Sequence, residues 1–152
     1  MRRFCVTLLI FWCGSAFAGT GYYVTFVNRQ PVPIQLAPGG SDHWYLDEFG
    51  DVTVIPPGQA RTLYTESSIN IWGIVGLDIS GGPYDGSHLE LWKNSAAHTA
   101  TQSIHEVDVE HTGDKTWTER FKIGTNNGAI VTAIGLRPDG KYNTIHATVI
   151  FP

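Results

Sequence analysis

Cysteine is absent from most of this 152-residue chain, because Cys5 and Cys13 both lie within its first 18 residues. If that segment is removed, residues 19–152 contain no thiol at all. A chain without cysteine cannot form a disulfide, cannot use a thiolate nucleophile and cannot bind a metal through sulfur. A domain of this size must then be stabilised by its hydrophobic core alone.

The first 18 residues have the three parts of a secretory signal peptide. A basic start, an apolar run over residues 4–12 and the small-x-small sequence of residues 16–18 follow one another in that order. The apolar run is about half of the roughly 20 residues that a membrane-spanning helix needs. We therefore predict cleavage after Ala18 and a secreted or periplasmic protein.

Basic residues are scarce in the expected mature chain. The whole chain has 10 lysine and arginine residues and 14 aspartate and glutamate residues, and Arg2 and Arg3 leave with the signal peptide. Residues 19–152 therefore have 8 basic and 14 acidic residues, a net charge of −6. Nucleic-acid binding needs a basic patch, so we predict no nucleic-acid partner.

No apolar stripe with helical period is present, whereas β-branched and aromatic residues come in short runs between turn residues. This pattern predicts nine to ten strands in a single domain of residues 19–152, an all-β antiparallel sandwich or flattened barrel. Residues 37–42 are predicted as a loop, and Gly73 and Gly76 as a bend or bulge within a strand. The Pro-Asp-Gly turn at residues 138–140 predicts a hairpin between residues 129–136 and 142–151.

Enzyme motifs are also missing. The chain has no Gly-x-Ser-x-Gly elbow, no His-Glu-x-x-His and no phosphate-binding glycine loop. We predict no cofactor and no metal. Glu106, Asp108 and Glu110 alternate on one strand and are interpreted as a solvated face, with a Ca²⁺ site as the alternative. A hydrolase or lyase that uses a histidine and a carboxylate stays open.

Two segments combine aromatic rings with carboxylates, the pattern that binds sugars or lipid headgroups. The first spans residues 42–51, and the second is the turn-rich stretch 81–86, which is expected to expose Tyr84 at a loop tip. For the first segment the alternative is that Trp44 is a core anchor. The predicted ligand-binding residues are His43, Trp44, Tyr45, Asp47, Tyr84 and Asp85.

Several short motifs together resemble the aegerolysins. They are the opening Tyr-Tyr-Val-Thr-Phe-Val-Asn of residues 22–28, then Trp44-Tyr45, then Val-Ile-Pro-Pro-Gly of residues 54–58, a polar Glu-Ser-Ser stretch at residues 66–68 and the closing hairpin. Aegerolysins are small acidic β-sandwich proteins that bind particular membrane lipids and often need a partner to form pores. The resemblance implies a sandwich fold and a lipid partner, and it assigns no binding residue.

The sequence thus predicts an exported binding module for a membrane lipid or a glycan, with a cytolysin or other virulence-related component as one form of it. The alternatives are an inhibitor or immunity protein that binds an envelope or extracellular protein, and a small His–carboxylate hydrolase.

Overall fold

The computed structural model describes residues 19–68, 72–94, 103–111, 117–126, 129–139 and 142–152. Within these ranges the chain forms eleven β-strands and two short 3₁₀ helices, Asp47–Gly50 and Gly82–Tyr84. The strands in chain order are β1 Gly21–Asn28, β2 Ile34–Asp42, β3 Trp44–Tyr45, β4 Thr53–Ile55, β5 Ala60–Ser67, β6 Gly73–Ser80, β7 Ser87–Lys93, β8 Ser103–His111, β9 Trp117–Thr125, β10 Ile130–Asp139 and β11 Tyr142–Phe151.

The strands form two sheets that pack into a sandwich and do not close into a barrel. The five-stranded sheet has the order β10-β11-β1-β5-β3, and the six-stranded sheet has the order β4-β2-β6-β7-β9-β8. The predicted all-β sandwich is confirmed. The expectation that all strands are antiparallel is wrong for one pair, because β1 lies parallel to β11.

The core lies between the two sheets, and β1 shows how alternation places side chains there. Tyr22, Val24 and Phe26 are fully buried, whereas Tyr23 and Thr25 are only partly buried on the opposite face. Because successive side chains of a strand point to opposite faces, the outer face of the five-stranded sheet takes the other set of residues. The candidate site lies on that outer face.

The β2 strand is longer than the sequence predicts. Residues 37–42, expected as a loop, continue the strand and pair with β6, with a register shift between Pro38 and Ser41. The bulge is therefore in β2. Gly73 and Gly76, predicted to mark it in β6, belong to an unbroken ladder with β7 and allow close approach by neighbouring side chains.

The predicted closing hairpin is confirmed by the register of β10 with β11, which runs from Ile130 opposite Ile150 to Asp139 opposite Tyr142. The polar, alanine-containing stretch of residues 93–102 is compatible with one helical turn, and apart from the end of β7 and Asn94 it lies outside the described residues. No helix in the described ranges is long and apolar enough to cross a membrane.

Candidate functional site

Trp44 and Tyr84, two of the predicted ligand-binding residues, lie in the hydrophobic core. Trp44 is 7% exposed; its indole Nε1 donates to Thr65 Oγ1 at 2.9 Å, and its ring centroid lies 4.9 Å from that of Tyr22. Tyr84 is 4% exposed and its ring packs edge-on against Phe151 at 5.1 Å. The alternative of a core anchor therefore describes Trp44, and the expectation of an exposed Tyr84 is wrong.

The local backbone explains the burial of Tyr84. Gly81 and Gly82 have positive φ values of 124° and 56°, and the 3₁₀ helix that follows turns the tyrosine back towards the core. Asp85 is exposed, and its Oδ1 accepts a hydrogen bond from Gly81 N at 2.6 Å, which closes the turn. In this loop the carboxylate of Asp85 thus stabilises the turn.

The remaining predicted residues, His43, Tyr45 and Asp47, are exposed. His43 contacts Asp42 through Nδ1 at 3.0 Å and lies edge-on to Trp72, with ring centroids 4.4 Å apart. Tyr45 is 58% exposed. Tyr45 pairs with Glu66 at the start of β1, whereas Tyr84 contacts the end of β11, so the two predicted segments lie at opposite ends of the five-stranded sheet.

Three aromatic side chains form a row across the outer face of this sheet. His146 of β11, Tyr23 of β1 and Tyr64 of β5 occupy directly paired positions on neighbouring strands. The ring centroids of Tyr23 and His146 are 5.0 Å apart at an interplanar angle of 20°, and those of Tyr23 and Tyr64 are 5.0 Å apart at 48°. We call Tyr23, Tyr64 and His146 the aromatic row.

Glu66 marks one end of this surface. Its Oε2 accepts the hydroxyl of Tyr64 at 2.9 Å, and its Oε1 accepts the backbone N–H of Gly19 at 2.7 Å. Burial, followed by the hydrogen bond and the negative charge of Glu66, raises the pKa of Tyr64 well above its ordinary value. Tyr64 is therefore a neutral phenol that donates to the carboxylate.

Two more carboxylates come from the 3₁₀ helix Asp47–Gly50. Glu48 accepts the N–H of Tyr64 at 2.6 Å, a donor on the open side of β5. Burial raises the pKa of Asp47, and the negative charges of Glu66 and Glu48 raise it further. We call Asp47, Glu48 and Glu66 the acidic rim; within the described part of the chain no lysine or arginine forms an ion pair with any of them.

Tyr45 lies beside the acidic rim. It is directly paired with Glu66, and paired residues of neighbouring strands point to the same face, so its ring joins the outer surface that holds the aromatic row. Farther along this surface the hydroxyls of Thr25 and Thr62 are 2.8 Å apart. We call the whole surface, made of the aromatic row, Tyr45 and the acidic rim, the tyrosine face.

Sequence reasoning identified Tyr45 and Asp47 and missed the aromatic row and Glu66. The usable signal was alternation: Tyr23 and Tyr64 each lie between two buried residues of their strand, so they point to the opposite, outer face. The pairing of β11 with β1 and of β1 with β5 is long-range, so the sequence does not indicate that the three rings meet.

A second polar cluster lies on the outer face of the six-stranded sheet. His88 Nδ1 is 2.9 Å from Asp78 Oδ1 and its Nε2 is 3.3 Å from Glu90 Oε1. Both ring nitrogens thus contact carboxylates of the protein itself, so neither is turned towards a substrate position. The cluster matches the composition of the predicted His–carboxylate pair but not the geometry that a general base needs.

Glu106 and Asp108 of β8 also lie on the outer face of the six-stranded sheet. Arg120 donates to both oxygens of Asp108, at 2.7 and 2.9 Å, and Lys122 lies 3.7 Å from Glu106. These acids are therefore paired with cations; the side chain of Glu110 lies outside the description. In the described ranges no group of three or more histidine, cysteine or acidic side chains is arranged to hold a metal ion.

Comparison of the chain with family models, with curated proteins and with solved structures gives no match. The resemblance to aegerolysins stays a prediction.

Proposed function

We propose that the domain is an exported, non-enzymatic binding module that recognises a glycan on its tyrosine face. The observation that supports the proposal is that the exposed ring of Tyr45, the aromatic row and the three carboxylates of the acidic rim all lie on one surface of the five-stranded sheet. Recognition sites combine apolar ring surface with a few fixed polar groups, and this face has both.

The geometry of the aromatic row suits hydrogen bonding more than stacking. Tyr23 and His146 are nearly parallel to each other, so part of their ring faces is covered by the neighbour and their edges point outward. Tyr45, with more than half of its surface exposed, supplies the ring face against which the C–H side of a sugar can pack. Sugar hydroxyls would then donate to the carboxylates of the acidic rim.

The charge of the face selects among glycans. Because no described lysine or arginine pairs with the acidic rim, its negative potential repels uronic acids, sialic acids and sulfated sugars at low ionic strength. Neutral sugars are not repelled by the acidic rim, and the protonated amine of an amino sugar is attracted to it. We therefore propose a neutral or amino-sugar oligosaccharide as the ligand.

The proposal is tested by titrating the processed domain with a panel of neutral, amino-sugar and acidic oligosaccharides, with intrinsic fluorescence as the readout. We expect binding to neutral or amino sugars, and about tenfold weaker binding by Tyr45→Ala, the usual cost of truncating an anchoring tyrosine. Val54→Ala, at a residue 54% exposed on the other sheet, is the matched control. Equal affinities of the two variants, or binding to acidic sugars alone, contradict the proposal.

A membrane lipid is the second candidate, and exposed valines are the observation that favours it. Val32, Val52 and Val54 are 37%, 60% and 54% exposed and lie in or beside β2 and β4, at an edge of the six-stranded sheet. Flotation with phosphatidylcholine vesicles distinguishes the candidates. If lipid is the ligand, Val52→Ser and Val54→Ser weaken flotation and Tyr45→Ala does not.

A further inference from the structure

Gly19 and Thr20 extend β1 beyond its first residue and lie against the end of β5. Gly19 N donates to Glu66 Oε1 at 2.7 Å. Thr20 N donates to Ser67 Oγ at 3.3 Å, and Ser67 N donates to Thr20 O at 3.0 Å. The first residue after the predicted cleavage site is therefore already fixed in place by the fold.

The position of Gly19 has no space for a side chain. A Cβ atom there would lie 1.3 Å from the carbonyl oxygen of Ser67 and 2.5 Å from its carbonyl carbon. Both atoms belong to the backbone of β5, so they cannot move aside as the end of a flexible side chain would. Only glycine brings this nitrogen within hydrogen-bond distance of Glu66.

We propose that cleavage after Ala18 converts the Gly19 amide into an α-ammonium group that forms an ion pair with Glu66. A signal peptidase hydrolyses the peptide bond between Ala18 and Gly19: water supplies a hydroxyl to the Ala18 carbonyl carbon and a hydrogen to the Gly19 nitrogen, and the new carboxylic acid releases its proton to solvent. The resulting primary amine takes a further proton from solvent, because an α-amino group has a pKa of about 7.7–8.0. In the precursor the same nitrogen is an uncharged amide.

The surroundings of this nitrogen favour a positive charge. Glu66 contacts it from β5, and Tyr64 is a neutral donor to the other oxygen of the same carboxylate. Asp47 and Glu48 add negative charge from the 3₁₀ helix, and the pKa of Asp47 is raised by burial and then by the negative charges of Glu66 and Glu48. The α-ammonium supplies one cation to the acidic rim, at Glu66, and leaves the carboxylates of Asp47 and Glu48 without a cationic partner among the described side chains.

The pairing predicts a raised pKa for the α-amino group of the processed protein. We expect an upward shift of about one unit from the ordinary value, because an opposite charge in hydrogen-bond contact favours the charged form. The measurement is an NMR titration of protein labelled with ¹⁵N-glycine that begins at Gly19, compared with Glu66→Gln. The variant keeps the size of the side chain and should return the pKa to its ordinary range.

A second form of the protein distinguishes the effect of the positive charge on Gly19 N from that of its hydrogen bond to Glu66. A chain that keeps Ala18 before Gly19 has an amide at this position, so Glu66→Gln should lower its melting temperature less than it lowers that of the chain beginning at Gly19. Equal effects in the two forms, or an α-amino pKa that Glu66→Gln does not change, overturn the pairing. A mass of the exported protein that places its N-terminus elsewhere than Gly19 overturns the processing step. None of these measurements involves a glycan.

Discussion

At the scale of single residues, burial separates the aromatic side chains that build the core from those that face solvent. Trp44 and Tyr45 are neighbours in the chain, yet one lies under the sheet and the other is among the most exposed apolar side chains described. Strand alternation predicts that neighbouring side chains point to opposite faces of the sheet, but it does not predict which of the two is buried. That choice depends on the pairing of Trp44 with the buried Ser67 of β5.

Two buried or half-buried phenols give a prediction for alkaline pH. The pKa values of Tyr22 and Tyr64 lie above the ordinary 10.0, Tyr22 through burial and the charge of Glu119, and Tyr64 through burial and Glu66. Above about pH 10 the unfolded chain loses these protons first, so the folded state holds more protons and stability falls as pH rises. Below that pH both states keep the protons and these groups contribute no pH dependence.

Tyr64→Phe removes one of these groups. We expect urea unfolding of the variant to show a shallower loss of stability between pH 10 and pH 11 than the parent chain. The tyrosinate absorbance of folded parent and variant should coincide until the parent unfolds. A tyrosinate signal assigned to Tyr64 in folded protein at pH 11 would contradict the assignment.

Gly76 leads to a second prediction at this scale. A Cβ atom at Gly76 would lie 2.8 Å from Cε1 and Nε2 of His88, whose ring is held between Asp78 and Glu90. Gly76→Ala must move the ring out of this arrangement, and we expect a loss of about 1 kcal/mol. In a His88→Ala background the same change should be neutral or stabilising, because alanine suits a strand better than glycine. A double-mutant cycle by chemical denaturation measures the difference, and additive effects would argue against the steric explanation.

At the scale of elements, Asn28 connects strands of both sheets. Its side-chain amide donates to the carbonyls of Val32 and Ile55, at 2.9 and 2.8 Å, and its Oδ1 accepts from Gln30 N at 2.8 Å. The residue is fully buried at the end of β1. It therefore ties β1 of one sheet to the segment just before β2 and to the end of β4 in the other.

Asn28→Ala should lower the free energy of unfolding by about 2–4 kcal/mol, because it leaves the buried carbonyl of Ile55 and two part-buried backbone groups without their partner. Asn28→Asp keeps an acceptor for Gln30 but turns a carboxylate towards two carbonyl oxygens, so its cost should be larger at pH 7 than at pH 3. Gln35→Ala, on the exposed side of β2, is the control and should change stability by less than about 0.5 kcal/mol. A loss for Asn28→Ala no larger than for the control contradicts the role of Asn28.

Local elements were predictable where a turn brings neighbouring segments together. The Pro-Asp-Gly turn correctly predicted that β10 and β11 pair, and the alternation within β1 is local in the same way, since it puts Tyr22, Val24 and Phe26 on one face. The parallel pairing of β1 with β11 joins segments about 120 residues apart, for example Tyr22 with Ile145. No local pattern in the sequence specifies such a pair.

At the scale of the whole molecule, the candidate site is a product of this long-range pairing. His146, Tyr23 and Tyr64 come from three strands far apart in the chain, and they meet only because the five-stranded sheet places β11, β1 and β5 side by side. Of the tyrosine face, the sequence could identify Tyr45 and Asp47 from a local aromatic and acidic segment. The rest requires the register of the sheet.

The most direct test of the proposed function is an NMR titration of the processed, isotope-labelled domain with the tightest-binding neutral or amino-sugar oligosaccharide. We expect the largest chemical-shift changes at Tyr23, Tyr45, Tyr64 and His146, while Val54 and His88 on the six-stranded sheet stay unchanged. Changes concentrated on the six-stranded sheet, with none at the tyrosine face, would contradict it.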